Sequence, residues 1–222
     1  MSQKVIITGS TGMVGKGVLL ECLESPVIEK VLLINRNSLK MSHSKIEEVL
    51  LKDFTKMEDI KDQLASYDAC FHCMGVSSVG MSEADYSHLT FDVTKALADV
   101  LYDHNPNAVF IYVSGTGTDG SEKGRVMWAR VKGKTENYIL NKGFKDAYAF
   151  RPGVILPEKG IKSRTGWYNA MYVIARPFFP LMRRSKNITT TTRLGQAMIN
   201  ALSFPVESKL LENKEINELA GN

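Results

Sequence analysis

Lys4-Val-Ile-Ile-Thr-Gly-Ser-Thr-Gly-Met-Val-Gly15 decides how the rest of the chain is read. Val5, Ile6 and Ile7 are β-branched and uninterrupted by polar residues, the pattern of a strand buried on both faces in a parallel sheet. From Val14 on, Val14, Val18, Leu19, Cys22 and Leu23 recur at helical spacing. Gly9, Gly12 and Gly15 therefore stand between a strand and a helix. The first lets the chain turn tightly, the second lets backbone approach a pyrophosphate, and the third lets the helix pack close to the strand. Free amides at the helix N-terminus then face the anion. Gly9, Thr11, Gly12, Met13, Val14 and Gly15 are the expected dinucleotide phosphate loop. An ordinary glycine-rich turn is the alternative, and the strand-before, helix-after context is what disfavours it.

The totals bound the rest. The chain has 222 residues, 44% hydrophobic and 23% charged, with a formal net charge of +4. That is enough for one α/β domain, or one domain and a small lobe, with a substantial core. The charge is too mild to call for nucleic acid but suits an anionic ligand. No run of eighteen apolar residues marks a transmembrane helix, and Met-Ser-Gln-Lys leads straight into the first strand, so a cytoplasmic protein is expected. Cys22, Cys70 and Cys73 read as reduced thiols. Cys70-Phe-His-Cys73 has a redox or metal spacing. It lies in a strand pattern, where residues three apart face opposite sides, so a buried structural role is expected and no metal.

Outward from the loop, Lys30-Val-Leu-Leu-Ile34 is the second strand. It ends at Asn35-Arg36, about twenty residues past the glycines, where a dinucleotide site chooses its cofactor. An acid there binds the ribose 2′-hydroxyl of NAD, and an arginine favours the 2′-phosphate of NADP. Asn35 and Arg36 favour NADP, with NAD left open; a solvated loop arginine is the bland alternative. Residues 45–52 read as a strand or an amphipathic helix, followed by Asp53-Phe54 and a polar helix with Ile60 and Leu64 inward. Tyr67 to Gly75 is a strand ending in Cys73, Met74 and Gly75. Residues 83–103 read as one helix with Ala84, Leu89, Val93, Leu97, Val100 and Leu101 on its inner side. Ala108–Val113 is a strand ending in the hydroxyl-rich loop Ser114-Gly-Thr-Gly-Thr118. Val126–Leu140 reads as a helix, and Tyr148–Leu156 as a strand punctuated by Pro152-Gly153.

This alternation predicts a doubly wound parallel sheet, a Rossmann fold, over residues 1–156. Residues 157–222 form a small C-terminal helical lid or substrate region. Trp167–Met182, with Tyr168, Tyr172, Phe178 and Phe179, is aromatic and suits a lid, a homodimer surface or a membrane-touching amphipath, lid or core being the default. A threonine of Thr189–Thr192 caps a helix over Leu194–Leu202. A polar helix over about Glu207–Leu219 docks at the edge or frays.

Assembled, these residues resemble an atypical short-chain dehydrogenase/reductase, within that group the Tat-interacting-protein-like, NAD(P)-binding, epimerase-related proteins. The carriers are Gly9/Gly12/Gly15, Asn35-Arg36, Asp53-Phe54, Phe71-His-Cys-Met-Gly75, Tyr112-Val-Ser114, Val131-Lys-Gly-Lys134 and Arg151-Pro-Gly153. The resemblance implies that Asp53 and Phe54 meet the adenine, that Cys73, Met74 and Gly75 line its ribose, that Lys132 holds the nicotinamide ribose, and that Pro152 and Gly153 lie beside the nicotinamide. It places Ser114 in the catalytic serine region, with Thr116 as rival. One position departs. The family's catalytic tyrosine stands four residues before the lysine, on the same helix face, where the ammonium lowers the phenol's pKa. Here that residue is Trp128. An indole N–H donates a hydrogen bond but is no acid or base near neutrality. Two functions follow: an NADP-dependent oxidoreductase or epimerase acting on a small carbonyl or hydroxyl substrate, its proton supplied from elsewhere (Ser114 through water, Tyr168, Tyr172), or a weakly active or inactive NADP(H) sensor.

Overall fold

The structure is a computed structural model that describes residues 2–161, 179–182 and 185–221. Its centre is the strand read first, β1 (Gln3–Thr8), parallel to β2 (Ile28–Asn35) on one side and to β4 (Ala69–His72) on the other. With β3 (Ile46–Leu50), β5 (Val109–Val113), β6 (Asp146–Arg151) and β9 (Leu210–Glu212) they form a seven-stranded sheet in the order β3-β2-β1-β4-β5-β6-β9, parallel throughout. A second, two-stranded parallel ribbon joins β7 (Val154–Leu156) to β8 (Ile188–Thr190).

Helices cover both faces, as the alternating pattern requires. α1 (Met13–Glu24), α7 (Thr191–Asn200) and α8 (Asn213–Ala220) pack with Val5, Ile7 and Phe71 on one face. α2 (Lys61–Leu64), α4 (Val93–His104) and α5 (Met127–Leu140) pack with Ile6, Cys70 and Phe110 on the other. Cys70 and Cys73 do face opposite layers, Cys73 packing against the first. α1 and α7 touch closely: a Cβ on Gly17 would lie 2.6 Å from Thr191 Cβ, and one on Gly195 2.6 Å from Glu21 Cγ.

Of the two readings of residues 45–52, the strand holds, as β3. Other expectations change. The 83–103 helix is α3 (Glu83–Ser87) running through a π-helical turn, His88–Asp92, into α4. The wider turn rotates what precedes it, so Tyr86 and Thr90 face inward while Ala84 and Leu89 stay exposed. Pro152 and Gly153 split the expected single strand, and β7 leaves the main sheet. Thr190 is the threonine that caps α7, accepting from Arg193 N at 3.1 Å, but Ile188–Thr190 is itself a strand. The C-terminal polar helix begins later than expected, because Leu210–Glu212 is the sheet's edge strand. Of the aromatic stretch, only α6 (Phe179–Met182) is described, with Phe179 buried; Tyr168, Tyr172 and Phe178 lie outside the described residues.

His72 ends β4 inside the core, 1% exposed. Its Nδ1 lies 2.8 Å from Thr8 Oγ1 and its Nε2 3.0 Å from Thr94 Oγ1. Thr94 gives its own proton to the Thr90 carbonyl, so His72 donates from Nε2 and accepts at Nδ1, a neutral ring. Burial lowers its pKa from 6.5 to about 3. Between those values the unfolded chain binds a proton that the folded chain does not. Stability is therefore full above pH 6.5 and is lost as pH falls toward 3. From pH 7 to pH 5 the loss from this residue is about 2 kcal/mol. Urea unfolding at both pH values measures it. His72→Gln flattens the slope by that amount, and an unchanged slope refutes the neutral assignment.

Candidate functional site

The site is built at the carboxyl ends of the strands, where the sheet order reverses between β1 and β4, the crevice in which open α/β sheets bind ligands. Gly9 has φ 71°, and a Cβ there would lie 2.7 Å from the Cys73 carbonyl carbon and oxygen and 2.8 Å from Met74 Cα. The turn after β1 thus presses on the turn after β4. A Cβ on Gly15 would lie 2.3 Å from the Gly9 carbonyl oxygen, so helix and loop meet without room for a side chain. Gly12 differs: its Cβ would meet only the Gly9 oxygen, at 3.3 Å. Gly12 N donates to Gly9 O at 2.9 Å and caps α1 with no side-chain bond, which leaves the first-turn amides of Met13 and Val14 without an intrahelical partner. Thr11, Met13 and Val14 are half-buried at this mouth.

At the end of β2, Asn35 is buried. It accepts from Ser10 Oγ at 2.9 Å and donates to Glu48 Oε1 at 2.9 Å. Arg36 is exposed beside it, its carbonyl accepting from Lys52 Nζ at 2.7 Å. Glu48, on β3, also accepts from Leu39 N at 2.8 Å and Ser38 Oγ at 2.6 Å. Burial raises the Glu48 carboxyl's pKa, but these bonds outweigh it and hold the group below its ordinary value. Asp53 is exposed and accepts from Thr55 N and Oγ1, while the Phe54 side chain enters the core beneath. Gly75 borders open space at the end of the β4 turn.

Further along the edge, α5 brings Lys132 to the loop after β5. Lys132 Nζ donates to the Ser114 carbonyl, and a Cβ on Gly115 would lie 3.7 Å from that nitrogen. Burial lowers the Lys132 pKa to about 8, against the raising field of Glu136 one turn on. Glu136 is 1% exposed and takes both Arg151 Nε at 2.9 Å and Nη2 at 2.5 Å. The Ser114 hydroxyl donates to the same carboxylate. Ser114 thus faces the site with its carbonyl and the interior with its hydroxyl. Thr116 is exposed, its one hydroxyl proton shared between Glu212 Oε2 at 2.9 Å and the Arg151 carbonyl at 3.0 Å. Pro152 and Gly153 close this side: a Cβ on Gly153 would lie 3.1 Å from Thr116 Oγ1. Trp128 is half-buried, its Cη2 3.5 Å from where a Gly117 Cβ would be.

Residues 5–143 match the NAD dependent epimerase/dehydratase family over more than half the chain. The chain belongs to that family. It is 28% identical to protein HTATIP2 of Rattus norvegicus over 98% of this chain and 89% of that protein. It is also 28% identical to protein FMP52, mitochondrial, of Meyerozyma guilliermondii, over 70% of this chain and 66% of that protein. Among solved structures, a point mutant of uronate dehydrogenase from Agrobacterium tumefaciens, complexed with NAD, superposes with a TM-score of 0.68. The match covers 96% of this chain and 77% of that one, at 16% identity, which speaks for the fold. The Rossmann architecture and a nicotinamide dinucleotide as ligand are therefore properties of this family that the chain shares.

Within this epimerase/dehydratase frame, the structure brings together the glycine loop, the β2 and β4 ends, Lys132, Trp128, Pro152 and Gly153 along one edge of the sheet. It turns Tyr138 away, its hydroxyl donating to Asp99 on α4. Sequence reasoning missed Glu136, Glu48 and Glu212. Glu136 had a readable signal, four residues after Lys132 on one helix. Glu48 and Glu212 reach their partners only across strands and carried none. Among the described residues no helix is long and apolar enough to cross a membrane, and no group of three His, Cys, Asp or Glu could hold a metal ion.

Proposed function

We propose that the chain binds NADP(H) in preference to NAD(H) and acts as an oxidoreductase or epimerase on a small carbonyl or hydroxyl substrate. The observation that carries the cofactor preference is at the end of β2. Asn35 is committed to Ser10 and Glu48, the nearby acid Glu48 is committed to Asn35, Ser38 and Leu39, and Arg36 between them is an exposed cation. Gly9, Thr11, Gly12, Met13, Val14 and Gly15 would hold the pyrophosphate. Asp53, Phe54, Cys73, Met74 and Gly75 would hold the adenosine half, and Lys132, Pro152 and Gly153 the nicotinamide half. When bound, the nicotinamide supplies hydride chemistry, and the protein orients it. Residues 157–222 would close the substrate side. Three free thiols suit a reducing compartment, the cytoplasm among them. A homodimer is compatible with it and is read by light scattering.

A second reading, an NADP(H)-binding sensor with little turnover, is favoured by Trp128 in the place of the phenol. The Ser114 hydroxyl is spent on Glu136 and offers no proton to a substrate oxygen.

The deciding experiment is titration with NADPH and NADH, followed by nicotinamide fluorescence. Tight, NADPH-selective binding is expected. Arg36→Asp should weaken NADPH by about 10–100-fold and NADH by far less, because it removes the countercharge of the 2′-phosphate. Equal losses for both would refute the assignment.

A further inference from the structure

The polar side chains under the Arg36 turn form one continuous chain. Ser10 Oγ, inside the glycine loop, donates to Asn35 Oδ1; Asn35 Nδ2 donates to Glu48 Oε1. The same carboxylate then takes Leu39 N and Ser38 Oγ. Glu48 therefore grips the turn at its first residue and again at its last two, with Arg36 and Asn37 spanning the gap. Lys52 closes that gap, donating from Nζ to the Arg36 carbonyl at 2.7 Å and to Asn37 Oδ1 at 3.1 Å. Leu33 and Glu48 are paired in register, so the strand ladder itself fixes where the carboxylate stands.

We propose that Glu48 is a specificity-determining positioning residue: by holding the Asn35–Leu39 turn it presents the Arg36 guanidinium to a 2′-phosphorylated dinucleotide. The inference rests on the reading of Arg36 as the 2′-phosphate contact. An arginine on an untethered turn must lose both loop and rotamer freedom on binding, and a preformed turn removes the first of these costs. The three donors on Glu48 leave it little acceptor capacity for a ribose 2′-hydroxyl. An acid is thus present beside the cofactor-selecting loop, but turned beneath it as a brace. The bond from Ser10 carries the same tether to the glycine loop, so that the two phosphate-facing turns hold one another.

The test is a double-mutant cycle on the full chain: wild type, Arg36→Ala, Glu48→Ala and the double variant, each titrated with NADPH and with NADH, with melting temperatures recorded alongside. Glu48→Ala should weaken NADPH about tenfold and NADH less than twofold. In the Arg36→Ala background it should leave the NADPH/NADH ratio unchanged, since no guanidinium remains to be placed. Glu48→Gln, which keeps one acceptor oxygen, should recover part of the preference. Equal losses for both cofactors would mean a structural role only. Tighter NADPH binding by Glu48→Ala would mean that the carboxylate repels the phosphate. A selectivity loss of the same size in the Arg36→Ala background would mean that it acts by another route. Each of these overturns the proposal. A wild type without NADPH preference, or one whose preference survives Arg36→Ala, overturns the Arg36 reading and the proposal with it. A preference lost in Arg36→Ala but intact in Glu48→Ala overturns the proposal alone.

Discussion

Gly15→Ala should abolish dinucleotide binding and lower the melting temperature, and the sign of the second effect makes it informative. Gly15 lies in the first turn of α1, where helix propensity alone favours alanine over glycine by about 1 kcal/mol. Packing argues the other way. The added Cβ would stand 2.3 Å from the Gly9 carbonyl oxygen, 2.6 Å from its carbon and 2.9 Å from Ser10 N. All three are backbone atoms of the loop proposed to receive the pyrophosphate, and none can swing aside as a flexible side chain would. Overpacking costs of roughly 1–3 kcal/mol are usual even where side chains can adjust. We expect a net loss of about 2 kcal/mol, or roughly 4–8 °C in a chain of this size. Gly12→Ala separates the two effects. Its Cβ meets only the Gly9 oxygen, at 3.3 Å, so the fold should hold while the side chain takes the place where a pyrophosphate would approach. Thermal melts and NADPH titrations of both variants decide. A Gly15→Ala protein as stable as wild type, with the cofactor still bound, would mean that helix and loop are not in contact.

The residues that proved legible are those whose meaning is local. Val5–Ile7 and the three glycines carry their physical demands within fifteen residues, and the structure realises the turn at Gly9 and the close approach at Gly15. Ile60 and Leu64, and the splitting of Cys70 from Cys73, also followed from periodicity. What escaped is non-local or breaks the period. The π-helical turn at His88–Asp92 inserts a phase shift that no 3.6-residue template contains, so such a template puts Ala84 and Leu89 on the wrong face. β9 is three residues long, Leu210–Glu212, and gains its identity only by pairing with Ala149–Arg151 some sixty residues earlier. β8 likewise exists because β7 leaves the main sheet at Pro152-Gly153 to meet it. The same logic governs the site. Lys132 was readable from its motif, whereas the roles of Ser114 and Thr116 depend on which way each hydroxyl turns. Glu136 draws the first inward, and Glu212, supplied by β9, meets the second.

The separation of enzyme from sensor turns on one side chain, and Trp128→Tyr should raise the rate of NADPH-dependent reduction of a small carbonyl by about 100-fold or more, the scale on which a positioned acid contributes. Residue 128 stands one turn before Lys132 on α5, so a phenol there shares the lysine's face. Burial brings the Lys132 pKa down to about 8, so at pH 7 the ammonium is still present to favour the phenolate left after proton donation. As pH rises through 8 the ammonium is lost, and the gained activity should fall with it. Trp128→Phe should show no gain, and Lys132→Met placed on Trp128→Tyr should remove it. The measurement is NADPH oxidation against a panel of small aldehydes, ketones and quinones. A gain confined to Trp128→Tyr, with the pH profile of Lys132, means that the missing phenol is the only defect in an otherwise complete reductase site. A tyrosine variant that binds NADPH as tightly as wild type and still does not turn over means that the substrate side has changed as well. In that case tryptophan at this position belongs to a protein that reads the nicotinamide cofactor rather than spends it.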